Sequence, residues 1–207
     1  ALYTGPFQAP GPISVVRARA FEANKWPSWP TSDTYIDGVT SALPIYSLVT
    51  DPPNLWDYNT GIYARGPDAW PFWPYLGANF YKAWERPVHV EMIEPDGSVP
   101  LDFDGGIMIH GGASRSWDQK SFRVLARSGY GPDRQEYRQF TDRGYDSMKR
   151  IILRNGGTDW GNAILRDGFA NRVVDGLDLE TSNFRPAMIL LNGEYWGIQN
   201  LRERLDK

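Results

Sequence analysis

The chain has 207 residues, of which 41% are hydrophobic and 23% charged, and its formal net charge at pH 7 is -3. This mild balance is typical of a globular protein, and without a concentrated basic patch it gives no electrostatic reason to expect a nucleic-acid partner. Cysteine is absent, which excludes disulfides and thiolate metal ligands, and the longest apolar run, 187–191, is too short to cross a bilayer.

The first 36 residues have the pattern of the end of a small β module. Residues 13–20 alternate with the two-residue period of a strand, and a short strand at 34–36 follows a stretch punctuated by proline. A piece this short cannot bury its own core. The phrases 3–6 (YTGP) and 16–21 (VRARAF) resemble the β-sandwich module at the C-terminus of chitobiase and hexosaminidase-type enzymes. This resemblance implies that residues 1–36 are the C-terminal part of such a module.

A strand is predicted at 44–50, and the Asp-Pro-Pro sequence at 51–53 ends it. The following segment, 54–85, has no periodic pattern and is crowded with Trp, Tyr and Phe. Rows of exposed aromatic rings can stack on sugars, but a loop of this length also needs a small core of its own to stay ordered. The loop is therefore interpreted either as a carbohydrate-binding surface or as ordered packing.

The segment 88–127 combines a hairpin, a glycine turn and a lysine. Residues 88–94 alternate as a strand, and the turn at 95–97 leads to a second strand that ends before Gly111. Gly111 and Gly112 permit positive φ angles and let an anion approach main-chain N–H groups. Lys120 follows on the next strand, a placement suited to an ammonium that positions phosphate. A hairpin with a basic outer face explains the same pattern, since no phosphate-loop consensus is present.

One helix is predicted in the second half of the chain. Leu165, Phe169 and Val173 have the i, i+4, i+8 spacing of one helical face. The helix is expected to begin near Asp159 or Asn162 and to end at 175–176, an Asp-Gly pair.

The remaining elements are strands. Residues 151–153 form a buried strand candidate, and 187–191 and 195–198 flank an Asn-Gly turn, which is a specific hairpin signal. From 88 to 204 the order is hairpin, glycine turn, lysine strand, helix, hairpin and polar exit, as in the N-lobe of a protein kinase. We therefore predict an α+β fold with a mainly antiparallel sheet and one principal helix, after a short all-β segment.

A series of phrases in this region resembles the spore coat protein H (CotH) kinase family. The phrases are 106–115 (GIMIHGGASR), 119–123 (QKSFR), 153–156 (LRNG), 159–160 (DW), 165–167 (LRD), 185–186 (RP), 191–198 (LNGEYWGI) and 202–204 (RER). Their common order makes the resemblance more specific than any one motif. We assign 37–207 to the N-terminal region of a CotH-like kinase, with the resemblance itself covering about 43–207.

The resemblance implies an atypical protein kinase that transfers the γ-phosphoryl group of ATP, with Mg²⁺, to Ser or Thr of protein substrates such as spore-coat proteins. It also implies a bacterial protein that is extracellular or at the cell surface. In the family, the acids that hold the metal lie well downstream of 202–203, whereas the sequence given ends at Lys207. We therefore expect these residues alone to be inactive, with ATP and Mg²⁺ as cofactors of a longer parent and no metal ligands among them.

The resemblance also assigns roles by position. Lys120 would touch the nucleotide phosphates, and Asp167 is a possible ion-pair partner for it, by analogy with the strand lysine and helix glutamate of kinases. The phosphate end would be shaped by Gly111, Gly112, Ser114 and Arg115. The hinge side, where adenine and ribose would lie, corresponds to Gln199, Arg202 and Glu203, and Gln199 stands where some relatives carry an aromatic residue that stacks on adenine.

Two other functions remain open. A noncatalytic surface module would bind glycans through the loop 54–85, and a structural adhesion module would bind neither glycan nor nucleotide. His89 and His110 are the only histidines and are expected to be structural. Asp102 and Asp104 share a strand face as a glycosidase pair would, but a Leu-Asp-Phe-Asp-Gly-Gly sequence more commonly forms a turn.

Overall fold

The structure, a computed structural model, describes residues 2–141, 144, 146–174 and 176–203. Its strands are β1 (Ile13–Ala18), β2 (Thr31–Ile36), β3 (Ile45–Val49), β4 (Arg86–Ile93), β5 (Leu101–His110), β6 (Ser121–Leu125), β7 (Arg150–Arg154), β8 (Phe184–Leu191) and β9 (Glu194–Glu203). The α-helices in this part of the chain are α1 (Pro52–Trp56) and α2 (Arg166–Val173), and single 3₁₀ turns lie at Asn79–Tyr81, Ala113–Ser116 and Gly157–Asp159.

Strands β3 to β9 form a closed barrel in the order β3-β4-β5-β6-β7-β9-β8. Neighbouring strands are antiparallel except β3 and β8, whose parallel pairing closes the barrel. Alternate side chains of each strand point inward, and Leu48, Val90, Ile107 and Phe122 are fully buried in one core. Closure pairs the backbone of every barrel strand on both sides and leaves no open sheet edge.

The predicted α+β fold with one principal helix is wrong, because the described chain is mainly β and α2 has only eight residues. The apolar spacing that predicted a long helix is present, but the side chains of Leu165, Phe169 and Val173 are 44%, 67% and 63% exposed. Periodicity places residues on one face of a helix without saying what that face contacts. The core is instead filled by the barrel strands themselves, and the predicted helix end at Asp175 lies outside the described residues.

The local strand predictions are confirmed. Strands β4 and β5 pair as an antiparallel hairpin, as do β8 and β9. Asn192 and Gly193 connect β8 and β9 with φ angles of 52° and 85°, the left-handed geometry that an Asn-Gly turn adopts.

The N-terminal hairpin of β1 and β2 forms a separate two-stranded sheet. It lies against the outer face of the barrel, where the hydroxyls of Thr34 and Ser47 are 2.7 Å apart and Arg17 pairs with Asp51. Its assignment to a chitobiase-type module stays a prediction.

The aromatic loop 54–85 has two surfaces. Leu55, Ile62 and Phe80 are buried in the same core as the barrel strands, which shows that the loop packs against the barrel. Trp70 and Trp73, in contrast, are exposed. The ordered-packing interpretation therefore holds for one part of the loop, while carbohydrate binding by the exposed part stays a prediction.

Candidate functional site

Lys120 lies directly before β6, and its side chain points into the barrel, on the same side as Phe122. Only 5% of the residue is exposed. Its Nζ donates to the carbonyl oxygen of Trp117 at 2.7 Å and lies 4.8 Å and 4.4 Å from the ring centroids of Tyr63 and Phe80. The sequence predicted this lysine on a strand, whereas it lies one residue before β6 and its ammonium is buried rather than in an open groove.

Burial lowers the pKa of Lys120 from 10.5 to about 8. Asp118 raises this pKa and Arg65 lowers it further, but neither effect exceeds that of desolvation. Among the described residues no carboxylate forms an ion pair with Lys120. A carbonyl and two ring faces therefore hold a buried ammonium without a counter-ion, an arrangement that favours an incoming anion.

The backbone of Lys120 is fixed from two sides. Its N–H donates to the hydroxyl of Tyr63 at 2.8 Å, and its carbonyl accepts from Nε2 of Gln199 at 2.9 Å. The Tyr63 hydroxyl in turn donates to the Asp118 carbonyl at 2.8 Å. Sequence analysis missed Tyr63, because no local pattern reports a contact made by a distant loop that folds over the end of the barrel.

Arg115 connects the glycine turn to the aromatic loop. Its Nε donates to the carbonyl of Gly111 at 2.6 Å, and its Nη1 donates to the carbonyls of Phe80 and Tyr81 at 3.3 Å and 3.2 Å. Burial lowers the pKa of the Arg115 guanidinium. Like Lys120, Arg115 has only carbonyl oxygens as hydrogen-bond acceptors in the part of the chain that the structure describes.

The glycine turn itself has one strained and one open position. Gly111 has a φ of +119°, and a Cβ there would lie 2.5 Å from Oγ of Ser114. Gly112 has a φ of -98°, and no described atom lies within 4 Å of where its Cβ would be. Space beside the main chain is therefore available at Gly112, so a ligand can approach there.

Lys120 and Arg115, which the resemblance assigns to the phosphate end, contact the same turn of the aromatic loop. The ammonium of Lys120 contacts the Phe80 ring, and the guanidinium of Arg115 contacts the carbonyls of Phe80 and Tyr81. One buried and one partly buried cation therefore contact the 3₁₀ turn Asn79–Tyr81. Both can donate charge-assisted hydrogen bonds to a phosphate oxygen.

Asp167 does not join this group. Its Oδ2 accepts from Nη1 of Arg202 at 2.8 Å and lies 3.2 Å from Nε of Arg154. Burial lowers the pKa of Arg202, and the Asp167 carboxylate opposes that effect. Among the described residues, the predicted Lys120–Asp167 ion pair is not formed, and Asp167 instead pairs with Arg154 and Arg202.

The residues predicted for the hinge side lie in different places, some beside Lys120 and others near Asp167 or β8. Gln199 is fully buried beside Lys120, and its Oε1 has no hydrogen-bond partner among the described atoms. Arg202 faces Asp167, while Glu203 accepts the backbone N–H of the residue that precedes β8 at 2.8 Å. Arg204, the last residue of the corresponding family phrase, lies outside the described residues.

A polar and aromatic network that the sequence did not reveal holds the loop before Lys120. Gln119 donates from Nε2 to the carbonyl of Trp196 at 2.7 Å and accepts from Nε1 of Trp160 at 3.0 Å. The rings of Trp160 and Trp117 are stacked, with centroids 5.8 Å apart, and Asn155 donates to the Gln119 carbonyl at 2.5 Å. Two sequence features could have indicated this network: Gln119 is next to Lys120, and Trp160 lies within one of the family phrases.

The resemblance implies Mg²⁺ as a cofactor, and this stays a prediction. Over the described ranges, no group of three or more His, Asp or Glu side chains is arranged to hold a metal ion. These residues therefore supply cations for an anionic ligand and no ligand set for a metal.

A family model described as CotH kinase protein matches residues 107–207, a segment that contains β6 to β9 and Lys120. A comparison with curated proteins gives no match. In the described parts of the chain, every helix is too short or too polar to cross a membrane. The segment 107–207 is therefore similar to the CotH kinase family.

Proposed function

We propose that this chain binds the phosphate groups of ATP, with Lys120 as the main anchor, as part of a CotH-type protein Ser/Thr kinase. The observation that carries the proposal is a buried ammonium beside a partly buried guanidinium, neither of which has a carboxylate partner among the described residues. A phosphate oxygen would replace the Trp117 carbonyl as the acceptor for Lys120 Nζ. A charge-assisted bond of this kind is about twice as strong as a neutral one.

The surroundings of Lys120 support this role. Because Tyr63 and Gln199 fix its backbone, the ammonium is positioned before a ligand arrives. Its low-dielectric environment strengthens attraction to an anion relative to the same contact in water. Gly112 gives the phosphate access to the main chain, and Arg115 supplies a second cation.

Phosphoryl transfer needs more than these groups. Acidic groups must hold Mg²⁺ and orient the hydroxyl of the Ser or Thr acceptor, and in the family these acids lie downstream of 202–203. We therefore expect nucleotide binding without transfer from these residues alone. The protein substrate and a bacterial extracellular or cell-surface location are parts of the same proposal, and their support is the family relationship.

Thermal unfolding with ATP tests the proposal. ATP at 100 times its Kd would stabilise the protein by about 2.7 kcal/mol. Lys120→Met should abolish the shift, whereas Lys82→Met, which removes a surface lysine paired with Asp68, should keep it. Circular dichroism would confirm that both variants are folded. An ATP-dependent shift that persists in folded Lys120→Met, or no shift in the unsubstituted protein, would overturn the proposal.

A specific observation also favours the carbohydrate-binding alternative. Trp70, Phe72 and Trp73 are exposed. The ring of Trp73 lies 6.3 Å from that of Trp117, which stacks on Trp160, so a row of rings extends over the barrel end. A glycan-dependent thermal shift that is lost in the double variant Trp70→Ala, Trp73→Ala would support this function. A purely structural module would respond to neither ATP nor glycans.

A further inference from the structure

A separate cavity lies on the outer face of the barrel, under the N-terminal hairpin. Its volume is about 210 Å³. The hairpin and its connection contribute Arg17, Arg19 and Trp29 to the lining, the barrel contributes His89 and Asp104, and the loop 128–131 covers one side. Lys120 points to the barrel interior, so the wall of the barrel separates the two sites.

The charges around this cavity balance. Arg17 and Arg19 supply two guanidinium groups, and Asp51 and Asp104 supply two carboxylates. Arg17 pairs with Asp51, and Asp104 lies 3.0 Å from Nδ1 of His89. A polyanion would find no excess of positive charge here, which favours an uncharged ligand.

The polar groups include both donors and acceptors. Arg19 donates from Nε to the Ser28 carbonyl at 2.7 Å, which leaves its other N–H groups for a ligand. The side chains of Asp51 and Asp104 are 64% and 50% exposed, so their oxygens can accept further hydrogen bonds. A hydroxyl both donates and accepts, and this lining matches a molecule that carries several hydroxyls.

An aromatic ring and apolar side chains complete the lining. Trp29 is 77% exposed although it borders the cavity, and Pro30, Pro87 and Val88 lie beside it. An exposed indole of this kind offers a flat apolar surface next to polar groups. The cavity is also smaller than the roughly 300 Å³ at which sites for drug-sized ligands begin.

We propose that this cavity binds a neutral pyranose, with the Trp29 ring under the apolar face of the sugar. The C–H groups of a pyranose form that face, while its hydroxyls lie at the edge, where Arg19 and Asp104 are within the lining. The occupant is either a free monosaccharide or one residue of a longer glycan. This proposal does not rest on nucleotide binding at Lys120.

Ligand-observed NMR with the whole chain tests the proposal. The probes are glucose, galactose, mannose and N-acetylglucosamine, with glucose 6-phosphate and inorganic phosphate as charged comparisons. We expect at least one neutral sugar to bind with a Kd of about 1 mM. A β-linked or α-linked trisaccharide of that sugar distinguishes the two sources, because tighter binding of the trisaccharide indicates a glycan and equal binding indicates a free sugar.

Trp29 has a matched control in the same segment. Trp29→Ala should weaken sugar binding about tenfold or more, while Trp26→Ala, at a site 95% exposed and outside the cavity lining, should leave it unchanged. The proposal fails if no neutral sugar binds, if Trp29→Ala binds as well as the unsubstituted chain, or if inorganic phosphate binds more tightly than every neutral sugar.

Discussion

Replacing Lys120 by Met should make the protein more stable at neutral pH. Methionine retains an unbranched apolar side chain but has no ammonium to bury. The pKa of Lys120 is about 8 in the fold, against 10.5 for an exposed lysine, and this difference corresponds to roughly 3 kcal/mol. At pH 7 the lysine is charged in both states, so the folded protein carries this full penalty and the variant does not.

The pH dependence has a defined sign. Between about pH 8 and pH 10.5 the folded protein has lost the Lys120 proton while the unfolded chain still binds it. Stability rises with pH wherever the unfolded state binds more protons, so the unsubstituted protein gains stability across this window. By pH 9.5, roughly 2 kcal/mol of the penalty has disappeared. The stability advantage of Lys120→Met should shrink by that amount between pH 7 and pH 9.5.

Urea unfolding at these two pH values measures the difference. The change between them is decisive, because packing effects of the methionine side chain are the same at both, and other titrating groups cancel between variant and parent. Lys82→Met, at a partly exposed surface lysine, should show no comparable change. A free-energy difference between Lys120→Met and the parent that does not vary with pH would refute the claim that the fold depresses the pKa of Lys120.

Further predictions concern Asp167, the glycine turn and the affinity for ATP. Asp167→Asn leaves the buried Arg202 without its carboxylate partner and should lower the free energy of unfolding in urea by about 1–3 kcal/mol. The control variant Asp178→Asn, at an exposed site, should have almost no effect. Gly111→Ala forces a side chain onto a φ of +119° and should lower the free energy of unfolding by about 1–2 kcal/mol, measured by thermal unfolding. Gly112→Ala should leave this free energy unchanged. It should weaken ATP binding, measured by calorimetry, because the added methyl group fills the space that a phosphate needs. Because ATP favours charged Lys120, its affinity should fall by up to about tenfold per pH unit above pH 8, and a constant affinity from pH 7 to pH 9.5 would contradict that role.

Much of the local structure was predictable from sequence because its causes are local. The β8–β9 hairpin follows from Asn192 and Gly193, whose φ angles fit a two-residue turn. The β4–β5 hairpin follows from alternation and a turn at 95–97. The closing contact was not predictable in this way, since β3 and β8 pair in parallel and are separated by most of the chain. Without that contact, the strands suggested a mainly antiparallel sheet beside one principal helix, and the helix was given too large a role.

The same distinction between local and long-range contacts applies to the candidate site. Gly111, Arg115 and Lys120 all lie in the connection between β5 and β6, so the pattern that predicts this loop also groups them. Tyr63 reaches Lys120 from the aromatic loop, and nothing in the local sequence indicates that contact. Asp167 was assigned by analogy with kinases, and the analogy failed because α2 presents this carboxylate to arginines of the neighbouring strands.

The features that disfavour the charge on Lys120 in the free protein are those that would make it an effective phosphate ligand. Its backbone is held by Tyr63 and Gln199, so the side chain begins at a fixed point inside the barrel wall. Its present acceptor, the Trp117 carbonyl, carries only a partial charge. This acceptor therefore offsets only part of the desolvation cost of the charged ammonium. A phosphate oxygen supplies a full charge at that position and would raise the pKa of Lys120 again. Nucleotide binding would then recover part of the free energy that the empty fold loses by burying the ammonium.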